Sequence, residues 1–196
     1  REAVGDREAQ LRRIGEAVLS FKARHTHLPP QSLAAPDGTP GLSWRVLLLP
    51  YLDAAELYAL FRLDEPWDSA HNRQLLECMP RVYRLPGSDP EPGQTAVVGL
   101  CGPRTVFPPG RLVCDADCGR PPADIALAVV AAREQAVAWT QPADLPVDGE
   151  ANFAQQLDWR HDATLVLLYN GSVRRIQRTL LPHEWLKMAD RGVGNR

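Results

Sequence analysis

Three groups of residues in this chain of 196 residues are of types that do chemistry. The first is Trp44 and Trp67 with Asp64, Glu65 and Asp68, all in or beside the run GLSWRVLLLPYLDAAELYALFRLDEPWDS. Exposed aromatic rings stack on sugars and peptides, and carboxylates beside them fix orientation, so the run reads as an aromatic binding surface. The same acids, or Asp115 with Asp117, are where oxygen ligands for calcium would come from. Neither cluster has the twelve-residue ligand loop, so no metal or other cofactor is expected, with calcium as the alternative weighed. The packing reading is that Trp44, Leu47, Leu48, Tyr51, Leu57, Tyr58 and Phe61 fill a helical layer while Asp68 and Ser69 cap the next helix. Helical spacing favours it.

The second group is His161 with Asp162, a possible base, and Ser172, a hydroxyl. The chain has no Gly-x-Ser-x-Gly elbow, His-Glu-x-x-His helix or phosphate-cradling glycine loop. A non-enzymatic protein is expected, with His161 kept only as a candidate binding residue. His25, His27, His71 and His183 are scattered, as surface histidines are. The third group is Cys78, Cys101, Cys114 and Cys118, an even number that fits one or two disulfides in an oxidising compartment. Free thiols and a metal site are the alternatives; CDADC has no second Cys or His pair to complete a zinc knuckle.

The elements that must position these groups follow from periodicity. Leu11, Ile14, Val18 and Phe21 recur at spacings of three and four, which predicts one amphipathic helix over 7–24 with a narrow apolar stripe. Prolines in HLPPQSLAAPDGTPG end it. Ser43 caps a short helix that Pro50 kinks or ends. Asp53 with Glu56 forms a capping box for the next helix, and Ser69 caps a further one closed by Pro80. Beyond it RVYRL, TAVVGL, IALAVVAA, AVAW and TLVLLY read as strands of a mainly antiparallel sheet. Asn170-Gly171 joins the last of these to VRRIQR as a tight hairpin. With an arginine on each face, VRRIQR reads as a charged edge strand. LPHEWLKMADRG is a last short helix. APDGTPG, PGSDPEPGQ and QPADLPVDGEANFAQQ read as surface loops.

Helices followed by strands predict an α+β domain of about four or five strands, one globular unit over the whole chain. Its parts are a helix over 1–25, a helical insertion over 43–80, a sheet region over 81–178 and a C-terminal helix over 181–192. With 44% hydrophobic residues the chain can bury a core. A formal charge of −2 makes nucleic acid an unexpected partner. No run reaches the roughly 20 apolar residues that span a bilayer. The chain opens on Arg1, so a processed or cloned fragment is expected, with an upstream anchor or signal removed.

LRRIGEAVLSFKARHTHLPP, the block from Asp37 to Arg84, AVAWTQPADLP and NGSVRRI occur in the order and spacing of a known family. The chain resembles a large planctomycete family of prepilin-like domains of unknown function, most specifically between Gly41 and Tyr83. That resemblance implies a pilin-like fold and a type IV pilin or type II secretion pseudopilin-like protein. It implies a basic leader and a membrane segment running into the helix, and hence an extracytoplasmic, anchored place in the cell envelope. The implied partners are other pilin-like subunits or secretion components, together with the membrane. The alternative function is an extracytoplasmic module that binds carbohydrate or peptide through the aromatic block. Departures from the family pattern are the lost glycines before the last hairpin, where His161 stands for the family histidine, and Tyr169-Asn170 in place of Ala-Asp. Ala131 and Ala132 stand where a loop acid is usual.

Overall fold

The computed structural model describes residues 2–34, 39–88, 90–149 and 152–192. Most of the expected APDGTPG loop, and parts of the two other expected loops, lie outside them. The first element, α1 (Glu2–His25), is the expected amphipathic helix. Leu11, Ile14, Val18 and Phe21 are all buried, each worth roughly 1.5–3 kcal/mol against exposure. The opposite positions Arg12, Arg13, Glu16 and Ser20 are exposed. Thr26 ends the helix with a left-handed φ of 66°.

A small pair, β1 (Ser32–Ala34) and β2 (Pro40–Ser43), then leads into the helical block. Ser43 caps α2 (Trp44–Leu47) as its spacing predicts, accepting from the Arg45 N–H at 3.2 Å. Pro50 falls in a 3-10 turn, Leu49–Tyr51. The Asp53 cap does not form: Asp53 takes a left-handed φ of 58°, its side chain is 95% exposed, and α3 (Ala55–Leu60) starts on Ala54. Ser69 Oγ does accept, from the Asn72 N–H at 3.1 Å, but the segment that follows, Asn72–Cys78, is a 3-10 helix.

The main sheet has five strands in the order β7-β4-β5-β8-β9. They are β4 (Val97–Cys101), β5 (Ala126–Val130), β7 (Leu145–Pro146), β8 (Ala163–Leu168) and β9 (Val173–Gln177). Neighbours are antiparallel except β4 with β7, which are parallel. A separate pair joins β3 (Gln94–Thr95) to β6 (Val137–Ala138). RVYRL is not a strand. Arg81–Tyr83 is a 3-10 turn opened by Pro80, and the Tyr83 hydroxyl donates to the Arg45 carbonyl at 2.8 Å. VRRIQR is the sheet edge, as its charge pattern predicts.

Both faces of the sheet are covered. One carries α1, the helical block, Tyr83 and Trp139; the other carries Phe153, Leu157 and the helix α4 (Pro182–Ala189), with Trp185 and Met188 buried. Every residue of β5 is buried, as a central strand covered on both faces requires. The result is a mixed α/β domain. Its last hairpin is longer than the two-residue turn expected. The Gly171 N–H donates to the Leu168 carbonyl at 2.9 Å, the Leu168 N–H donates to the Ser172 carbonyl at 2.8 Å, and Gly171 has φ 80°. That is a three-residue loop closed by a left-handed glycine.

Gly171 also meets α1. A Cβ on Gly15 would lie 2.5 Å from the Gly171 carbonyl oxygen, so helix and hairpin touch backbone to backbone. The contact is possible because both positions are glycine.

Candidate functional site

Of the rings in the aromatic block, Trp44 and Phe61 are buried, while Tyr51, Tyr58 and Trp67 are half-buried. Trp44 is fully buried, stacks on Phe107 with centroids 5.5 Å apart, and donates its indole N–H to Asp144 Oδ1 at 3.2 Å. The reading of Trp44 as a binding ring is thereby corrected: no part of it reaches solvent. Trp67 is half-buried against the same core.

The acids near Trp67 belong to a loop wound around one buried side chain, Asn72. Its Oδ1 accepts from the Arg62 N–H at 3.1 Å, and its Nδ2 donates to the carbonyls of Arg62 and Pro66, both at 3.0 Å. Asp64 and Asp68 are exposed. Glu65 pairs with Arg62 at 2.9 Å, and hydrogen bonds from Ser69 and then Arg62 hold its carboxyl below the usual range. Asp115 accepts from the Tyr169 hydroxyl at 2.5 Å and from Lys22 at 2.8 Å, and Asp117 accepts from the Cys114 N–H at 2.9 Å. Among the described residues no three His, Cys, Asp or Glu side chains converge as a metal-ligand set.

His161 is exposed in a left-handed turn with φ 49°. Ser172 lies beyond the far end of β8, roughly 20 Å away at about 3.3 Å per strand residue, and its Oγ donates to Asn170 Oδ1 at 2.7 Å. The two do not form a base and nucleophile pair. His25 stacks on Phe21 at 4.2 Å and meets the Tyr51 hydroxyl at 3.1 Å.

The sheet does centre on a polar group that spacing did not reveal. Arg45 and Asp144 form an ion pair of 2.7 Å with both side chains 0% exposed. Arg45 Nε donates to the Val97 carbonyl at 2.8 Å and Nη1 donates to Ser43 Oγ at 2.7 Å. Asp144 Oδ1 also accepts the Gly99 N–H at 2.6 Å, and a Cβ on Gly99 would stand 2.7 Å from Phe107. This pair thus pins α2, β4 and the strand-like edge at β7 together. Desolvating two charges is expensive; the hydrogen bonds to the guanidinium and to Asp144 Oδ1 offset part of that cost, while Asp144 Oδ2 is buried without a partner. The one local signal was a charged residue, Arg45, between Trp44 and the apolar run Val46 to Leu49.

The disulfide expectation is also corrected: the four cysteines are free thiols. Each sulfur faces something other than a second sulfur. Cys114 Sγ donates to Asp117 Oδ2 at 3.1 Å, Cys118 Sγ to the Cys114 carbonyl at 3.8 Å, and Cys101 Sγ to the Asp144 carbonyl at 3.7 Å, while Cys78 is exposed. Burial, and then the Asp144 charge, push the Cys101 thiol from its ordinary value of 9.0 up to about 11. Burial raises Cys118 as well.

Two measurements check this. With a thiol reagent at pH 8, mass spectrometry should find Cys78 alkylated well before Cys101, because the thiolate is the nucleophile. In alkali the unfolded Cys101 ionises first, so its contribution to stability is complete below pH 9 and lost as pH rises toward 11. Urea midpoints of Cys101→Ser should therefore fall less steeply than wild type across that window; an equal slope would exclude Cys101 as the source.

A groove of about 530 Å³ lies between α4 and the loops after β4 and β7, lined by Pro103, Thr105, Val147, Leu186 and Ala189 together with the Arg104–Asp190 ion pair. No helix among the described residues is long and apolar enough to cross a membrane.

No curated protein and no solved structure matches. A family model described as protein of unknown function (DUF1559), with the short label SBP_bac_10, matches residues 8–105, which span α1, the helical block and β4. These segments carry the apolar stripe and supply Arg45 and Gly99, and the chain belongs to the DUF1559 family.

Proposed function

We propose that the chain is the extracytoplasmic head of a pilin- or pseudopilin-like envelope protein of the planctomycete prepilin-like kind. In this reading it is non-enzymatic, is anchored through a segment preceding α1, and assembles with like subunits or secretion components. The observation that carries it is α1 itself. Its apolar stripe is buried along β8 and β9, while Arg12, Arg13 and Glu16 face outward, so a helix continuing upstream is held rigidly to the sheet. The family label, SBP_bac_10, is in keeping with an extracytoplasmic setting.

The test is to express the natural full-length gene product in its own host and fractionate the cells. Sedimentation with membranes, together with crosslinking between subunits carrying Arg12→Cys or Glu16→Cys, is the expected result. Recovery in the soluble cytoplasmic fraction without crosslinks would overturn the proposal.

A further inference from the structure

Where α1 passes the start of β8, three arginines from different elements share one small concavity. Arg7 lies on α1, Arg160 sits just before β8, and Arg175 lies on β9; Asp158 is the one carboxylate among the residues lining it. Arg7 is only 4% exposed. Its Nη2 donates to Asp158 Oδ2 at 2.8 Å, and Arg160 Nε donates to the same oxygen at 2.9 Å. Another nitrogen of Arg160, Nη2, is taken up by the Gly87 carbonyl.

Two of the three guanidinium groups keep unused donors. Arg7 Nε is buried with no hydrogen-bond partner, an arrangement that costs free energy unless something accepts from it. Arg175 is opposite Leu165 in the β8–β9 register, on the face that α1 covers, and has no carboxylate partner among the described residues. Three positive charges against one negative leave an excess of two. The concavity is small, about 30 Å³, which suits a small ion better than a sugar ring or a peptide.

We infer that Arg7, Arg160 and Arg175 form a binding site for a phosphate-type oxyanion. A guanidinium presents a planar fork of donors that matches two oxygens of a phosphate, and partial burial keeps water from competing. Arg7 is held in place by Asp158, and Arg175 supplies the exposed arm. The ligand is either free phosphate or the phosphate of an anionic lipid headgroup.

The experiment is a titration with inorganic phosphate at constant ionic strength, following the Arg Nε–H signals by NMR, in wild type, Arg175→Gln and Arg174→Gln. Arg174 is the matched control. It carries the same charge on the opposite face of the same strand, where it pairs with Asp124 at 3.7 Å. The expected result is saturable shifts at Arg7 and Arg160 that weaken about tenfold in Arg175→Gln and stay unchanged in Arg174→Gln. Absence of saturation, or equal weakening in the two variants, would overturn the site.

Cosedimentation with phosphatidylglycerol vesicles, against phosphatidylcholine vesicles, separates the two sources. Binding that depends on Arg175 and is competed by free phosphate supports the headgroup. Phosphate saturation without vesicle binding supports the free anion.

Discussion

Replacing Asp144 with alanine is expected to cost about 3–5 kcal/mol of folding stability, the range for stranding one partner of a buried ion pair. The loss has three parts. Arg45 keeps its charge at 0% exposure with no counter-ion, and the Gly99 N–H and the Trp44 indole lose their shared acceptor. Urea unfolding followed by tryptophan fluorescence measures it, and a loss below about 1 kcal/mol would show that water or a neighbouring carbonyl takes over the role. Two companions sharpen the test. Asp144→Asn keeps an acceptor for Gly99 but not the charge, so it should fall between the two. The pair Arg45→Met with Asp144→Leu removes both charges and should recover much of the loss, since an apolar replacement of a buried pair is often neutral.

The second large effect reverses a general rule. In a helix interior, glycine to alanine usually gains close to 1 kcal/mol. For Gly15 the opposite is expected, a loss of about 1–3 kcal/mol as in other overpacked sites, because the new Cβ would stand 2.5 Å from the Gly171 carbonyl oxygen and 2.8 Å from its Cα. Backbone cannot rotate away as a flexible side chain does. Gly5 is the control within the same helix: nothing lies within 4 Å of its added Cβ, so Gly5→Ala should leave stability unchanged or raise it. Thermal unfolding of both variants gives the two signs directly. Stabilisation by Gly15→Ala would mean that the helix does not approach the hairpin this closely.

These two sites differ in how far they could be read before folding. The stripe of Leu11, Ile14, Val18 and Phe21 was legible because helical periodicity is a local property, and β8 was legible as an unbroken run of apolar and β-branched residues, all of them buried. Ser43 as a cap was legible, since its side chain acts two residues away. Asp53 does not cap α3 because, after the 3-10 turn at Leu49–Tyr51, it takes a left-handed conformation. RVYRL carries strand-forming residues, yet Tyr83 is drawn to the Arg45 carbonyl and Pro80 opens a turn instead. β7 hides in a proline-rich loop because it exists only through pairing with β4. Arg45 and Asp144 are 99 positions apart, so no window along the chain contains both. The three arginines of the proposed anion site come from separate elements and were invisible for the same reason; only the edge character of VRRIQR was readable.

The contact of α1 with the last hairpin has a mechanical meaning. The helix runs alongside β8 in the same direction, from Arg7 beside Asp158 to Lys22 beside Asp115 and Tyr169, with Gly15 against Gly171 between them. A pull along the helix axis therefore loads these contacts side by side in shear, and they must yield together. A pull across the axis would peel them one after another. The domain should resist tension delivered through its N-terminal helix far better than tension applied sideways at the edge strand β9.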